Sequence, residues 1–174
     1  TTPSRSEARY EALNRERIAE LTEVARSEDS FRASQAIREL ADKYGRHYRS
    51  AIEAIVVAYA ATINREREHP SRYHIYSGMR DTVIEGLTKL GQVAVPPLVA
   101  ALDSSRPEHE RFCAMRALGE IGSTQAVEPL VALLCDDGKT VMAEEERSCA
   151  TLALGKIGGT RALEALAALL NDAD

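Results

Sequence analysis

The chain has 174 residues, enough for one domain with a sizeable core, and its 44% apolar and 28% charged content marks a globular protein. Its net charge of −5 is unevenly placed: residues 1–80 carry 14 basic and 12 acidic side chains, residues 81–174 carry 8 and 15. An acidic C-terminal half disfavours nucleic acid, whose phosphates take most of their affinity from basic surfaces, and no apolar run reaches the 18 residues of a membrane span.

In chain order, the first residues, TTPSRSEAR, have no apolar segment of the signal-peptide kind and no initiator Met, which points to a processed chain or an excised piece. Ser4 and Glu7 stand at capping-box spacing. Tyr10, Leu13, Ile18, Leu21 and Val24 then form an apolar stripe, so a helix is expected. A second helix is expected from Ser30 to Tyr44, through Ala33, Ala36, Ile37, Leu40 and Ala41, with Gly45 as its stop. A third runs from about Tyr48 to Asn64. Residues 1–70 therefore read as an N-terminal cap plus one diverged helix pair.

Between helices lies His69-Pro70-Ser71-Arg72-Tyr73-His74-Ile75-Tyr76. Tyr and Arg are favoured at protein interfaces, so His69, Arg72, Tyr73, His74 and Tyr76 are candidate partner-binding residues on a contact loop. The alternative is that Tyr73 and Tyr76 pack onto the next helices while the histidines stay solvated. No carboxylate or Cys joins the two histidines at a metal-ligand spacing.

Residues 80–174 repeat themselves. Arg80 to Gly91, Arg111 to Gly122 and Arg147 to Gly158 align in columns: Val83, Ala114 and Ala150; Gly86, Ala117 and Ala153; Leu87, Leu118 and Leu154; Leu90, Ile121 and Ile157. Second halves follow, with Leu98, Leu130 and Leu166 in one column and Asp103, Asp136 and Asp172 soon after. A fixed unit of this size marks a stacked helical array. Each unit reads as two helices. The glycine ends the first by adopting positive φ, and Ser123, Thr124 or Thr160 is placed to cap the second. Pro96 suits a first turn, whereas Pro129 is expected to sit deeper and bend its helix.

The pattern A-x-x-A-L-G-x-I-G-x-x-x-A-x-x-x-L-x-x-L-L-x-D resembles the HEAT-like repeats of the phycobilisome-lyase type, closely at 111–136 and 147–172 and with one deletion at 80–103. The resemblance implies an all-α, right-handed α-α superhelix of four to five helix pairs, with three such repeats over 80–174 of a single solenoid domain spanning 1–174. It also implies that the Arg column joins the preceding acids, Asp103 and Asp136, in a stacked network, and that the second helices line a concave side. Outward positions there are Gln125, Glu128, Arg161 and Glu164, a mildly acidic groove suited to a basic or amphipathic helix or peptide.

No residue set points to catalysis. Gly138-Lys139-Thr140 lacks the upstream glycine of a phosphate loop, because Leu133 stands there, and Asp136-Asp137 lacks the alternation of a calcium loop. Cys113 and Cys149 hold equivalent positions and read as small core fillers. Three cysteines without a CxxC spacing suit a reducing compartment, and a cytoplasmic location is expected. The expected function is a non-catalytic protein-interaction scaffold, binding another protein without cofactor, metal, nucleic acid or membrane. The resemblance also implies an alternative, a bilin-lyase-type chaperone subunit, and a HEAT-type nucleic-acid repair module is a third reading. The last unit stops near consensus with no capping unit after it, so self-association or further repeats beyond residue 174 are expected.

Overall fold

A computed structural model describes residues 5–134 and 144–171 of the chain. Ser4, Cys135, Asp136, the 138–140 stretch and Asp172 lie outside the described residues. No strand occurs among the described residues, and the fold class is all-α. Contacts group the chain into two compact units, residues 1–86 and 87–174, with the division falling inside one helix.

In the first unit, α1 (Arg5–Ala25) packs against α2 (Ser30–Glu39) and α3 (Arg49–Glu68). The apolar stripe of α1 splits. Ile18, Leu21 and Ala25 are buried, whereas Tyr10, Leu13 and Val24 are exposed. Asp29 caps α2, its carboxylate accepting from the backbone N–H of Phe31 at 3.1 Å and Arg32 at 3.0 Å, which satisfies two of the donors a helix start leaves unpaired. The helix continues as a π turn over Leu40–Tyr44. The helix stops at Gly45 as expected, though at φ −59° rather than in the left-handed region.

Helix α3 buries Ile52, Ile55, Val56, Tyr59 and three alanines around most of its circumference, as a central helix must. Thr62 is buried with them because its hydroxyl donates back to the Ala58 carbonyl at 2.8 Å. A short 3₁₀ turn, Pro70–Arg72, leads into α4 (Tyr73–Leu90). Gly86 of α4 lies against the π turn, where an added Cβ would stand 3.3 Å from the Ala41 Cβ.

The second unit is a stack of helix pairs. Helix α5 (Val95–Ala100) packs on α6 (Glu108–Ile121), α7 (Val127–Leu134) packs on α8 (Glu144–Ile157), and α9 (Gly159–Asn171) pairs with α8 and touches α7. The longest contact runs between α6 and α8, the first helices of successive repeats. Gly91, Gly122 and Gly158 all have positive φ, at 57°, 69° and 65°. Gly122 N–H donates to Leu118 O at 3.1 Å and Gly158 N–H to Leu154 O at 2.9 Å, closing the helix ends. A side chain at these positions would be strained, which is why the sequence keeps glycine at three matching bends.

Most of the columns read from sequence form the core, while Ile121, Ile157 and Leu166 are half-buried. Ala114 and Ala150, Ala117 and Ala153, Leu118 and Leu154, and Ala126 and Ala162 are all buried. Four details differ from expectation. Ser123 does not cap a second helix: its buried hydroxyl donates to the Gln92 side chain at 2.9 Å, joining two repeats. A 3₁₀ turn, Thr124–Ala126, takes the place of the cap. Pro129 is the third residue of α7, where no intrahelical bond is lost, so it does not sit deep in its helix. Asp103 is not the partner of Arg111. Its carboxyl accepts from the Ser105 hydroxyl and, at 2.9 Å, the Ser105 backbone N–H, and these bonds hold it below the usual carboxylate range.

Candidate functional site

The Arg column is structural at its two inner positions. Arg111 reaches Glu146 of the next repeat at 2.6 Å and also donates to the Arg106 carbonyl. Glu146 is only 3% exposed, so the acidic turn that opens α8 includes an interior half of an ion pair. In the first unit Arg80 pairs with Glu66 at 2.6 Å. These two pairs are partly withdrawn from water, where an unmatched charge is costly. Arg147, at the same place in the last repeat, is exposed.

Further pairs tie the repeats together at the surface. Lys156 meets Glu120, and Arg161 meets Glu128 at 2.6 Å. Arg161 also lies 3.9 Å from Glu164. Three of the residues expected on the second-helix face are therefore brought together, the exposed Glu128, Arg161 and Glu164, while Gln125, also exposed, lies in the 3₁₀ turn before α7. The charges on this face largely answer each other, and the hydrogen bond from Arg161 holds the Glu128 carboxyl below its ordinary range.

The 69–76 segment is divided. His69, Arg72 and His74 are exposed. Tyr76 is not a surface residue: it is 3% exposed and packs with Ala33 and Met79 in the core of the first unit, so it cannot meet a partner. The segment is not a loop either, since Tyr73, His74 and Tyr76 belong to α4. The spacing of Tyr76, Met79 and Val83 at three and four was the sequence signal for this face. Nearby, Ile63, Glu66, Arg67, Pro70 and Arg80 line a shallow depression of about 350 Å³.

Nothing in the described residues gathers three or more His, Cys, Asp or Glu side chains as a metal would need. Burial pushes the Cys113 thiol far above its ordinary value and raises that of Cys149, so neither is held as the thiolate a nucleophile requires. No helix among the described residues is long and apolar enough to cross a membrane.

The uncovered apolar side expected for the last unit is seen at Leu163 of α9, but sequence reasoning missed its extension onto α8 at Leu152. Leu152 is 65% exposed and Leu163 is 62% exposed. The available signal was the repeat itself, because Leu152 stands where the earlier repeats place Glu85 and Arg116.

No curated protein matches the chain. A family model for HEAT repeats matches residues 77–146 and 95–174, together more than half of the chain. These spans take in the helix pairs, the positive-φ glycines and the inter-repeat ion pairs just described. By sequence pattern and by helix-pair stacking alike, the chain belongs to the HEAT-repeat family.

Proposed function

We propose that this protein is a non-catalytic interaction scaffold that holds another protein on the second-helix face formed by Gln125, Glu128, Arg161 and Glu164. The observation that carries this reading is the division of labour within each repeat. Most of the repeated columns are buried in stacking, while the outward positions of the second helices are exposed and differ from repeat to repeat. HEAT repeats generally serve as protein-interaction scaffolds. The face carries two carboxylates and one guanidinium, so the partner it suits is a basic or amphipathic helix or peptide. In the other unit, His69, Arg72 and His74 present a separate exposed strip for a second contact. A cytoplasmic setting agrees with the unpaired Cys113 and Cys149.

The test is affinity capture with the native chain and with Glu128→Lys/Glu164→Lys, each captured partner then being purified and titrated. A partner that loses at least tenfold in affinity for the double variant supports the reading. A chain that captures no protein, or that turns over a small molecule, contradicts it. A bilin-handling role rests on the resemblance to phycobilisome-lyase repeats alone. Adding a linear tetrapyrrole and following its absorbance tests that reading separately.

A further inference from the structure

The depression of about 350 Å³ in the first unit lies at the last turns of α3, at Pro70 and at Arg80 of α4. Its volume is near the lower end for ligand pockets and suits one or two side chains of a peptide. Ile63 and Pro70 supply apolar wall, while Glu66, Arg67 and Arg80 supply charge. Arg80 and Glu66 hold each other at 2.6 Å with side chains only 19% and 16% exposed, so this part of the wall is fixed before any ligand arrives. The pair is neutral as a unit. Arg67 is exposed and enters no ion pair with a described residue. Exposed His69 and Arg72 stand on either side of Pro70, the Arg72 N–H donating to the His69 carbonyl at 2.9 Å, and exposed His74 follows on α4.

The sign of the local charge is positive. Helix α3 ends and α4 begins here, so helix-dipole ends of opposite sign meet and the side chains decide the potential. Residues 63–80 hold four arginines and two histidines against two glutamates, in a chain whose net charge is −5. One of those glutamates is tied to Arg80; the other, Glu68, is exposed. On the same last turn of α3, a guanidinium nitrogen of Arg65 is closed off from water without an acceptor, which leaves its positive charge unanswered.

We infer that the depression docks an acidic segment of a partner protein: an apolar side chain seats on Ile63 and Pro70, and the carboxylates flanking it meet Arg67 and Arg72. This deepens the second contact of the scaffold reading, on which it rests only in taking the ligand to be a protein. The partner segment has the opposite charge from the one that the Glu128–Glu164 face suits. Arginine at both positions favours carboxylates, whose two oxygens match the guanidinium fork. A nucleic acid or an anionic membrane draws its affinity from a broad basic surface, and this chain as a whole is negative. A short acidic segment meets only the cations within a screening length, roughly 8–10 Å in ordinary salt. The apolar wall adds what a bare phosphate leaves unused, a place where a leucine-like side chain leaves water.

The test is fluorescence anisotropy of the full chain with a fluorescein-labelled peptide, Asp-Glu-Leu-Asp-Glu, blocked at both ends. Its comparison probes carry Asn and Gln in place of the acids, or Ser in place of Leu. The acidic peptide is expected to bind at least about tenfold more tightly than its amide counterpart. Arg67→Glu/Arg72→Glu is expected to abolish that preference; both residues are exposed, and an unchanged unfolding midpoint shows that the variant keeps its fold. Ile63→Ala is expected to weaken the Leu peptide and to leave the Ser peptide as it was. No binding, or equal binding of the acidic and amide peptides, overturns the inference. So does binding that Arg67→Glu/Arg72→Glu leaves intact, or a Leu peptide indifferent to Ile63→Ala. Tighter binding of a single-stranded oligonucleotide or of vesicles containing anionic lipid overturns it in favour of a general anion surface. The Glu128→Lys/Glu164→Lys variant is expected to bind the acidic peptide no less tightly than the native chain, so failure of the groove reading and failure of this one are told apart.

Discussion

Gly119 and Gly155 hold the same place in consecutive repeats, yet one is closed in by the Cα of Ala153 and the other faces open space. The same holds for Arg111 and Arg147, and for Val127 and Leu163. The residue type is common to both members, or nearly so, and the surroundings differ. Repetition writes the chemistry of a joint into every unit, but only a following unit completes it. A HEAT repeat is thus half of two interfaces, and among the described residues the outer side of the α8–α9 pair shows one half without its counterpart.

The comparison breaks first at the core columns. Leu118→Ala removes a fully buried side chain and should cost about 3–4 kcal/mol in urea unfolding, whereas Leu152→Ala on the outer face should change stability by less than about 0.5 kcal/mol. Equal losses would mean that the outer face is packed after all.

Next come the charges. Glu146→Gln leaves Arg111 without its carboxylate in a site largely closed to water, and about 2 kcal/mol of stability should go. That is less than a fully buried pair, because Arg111 keeps its bond to the Arg106 carbonyl. Arg147→Gln, at the equivalent outer position, should leave the unfolding midpoint unmoved, and a large shift there would reveal a partner for Arg147.

The smallest effect concerns the surface pair that links α7 to α9. The folded-state acidity of Glu128 is depressed by the hydrogen bond from Arg161. Its contribution is therefore present above the ordinary glutamate range and fades as pH falls through the lower folded value. The stability difference between the native chain and Glu128→Gln should be greatest near neutral pH and vanish in acid. A difference that grows in acid would contradict the pairing.

Much of this was legible in the sequence because the repeat fixes relations between neighbours. The glycine columns announced three helix ends, and Gly91, Gly122 and Gly158 have the positive φ that such ends require. The small column at Ala117 and Ala153 announced a close helix approach. What stayed hidden depends on distant partners. Ser123 looks like a cap to any local reading, yet its hydroxyl is taken by Gln92, 31 residues away. The Arg column has acids just before it in sequence, but Arg111 bonds forward to Glu146, because stacking brings the start of α8 beside the start of α6. Pro70 and Ser71 made the 69–76 segment read as a loop, but α4 begins at Tyr73, and the helical period then turns Tyr76 inward. Among the site residues, exposure of Glu128, Arg161 and Glu164 followed from the period of the second helix, while their mutual pairing across repeats did not.

Gly119 and Gly155 are the same repeat position in two environments, and parallel urea unfolding of Gly119→Ala and Gly155→Ala tests this most directly. At Gly119 the new methyl group meets backbone that cannot move aside, so a loss of about 1–2 kcal/mol is expected even after the gain in helix propensity. At Gly155 the same methyl group enters open space and should stabilise α8 by about 0.8–1 kcal/mol. Opposite signs are the predicted result; shifts of the same sign would contradict the stacked joint and the open outer face alike.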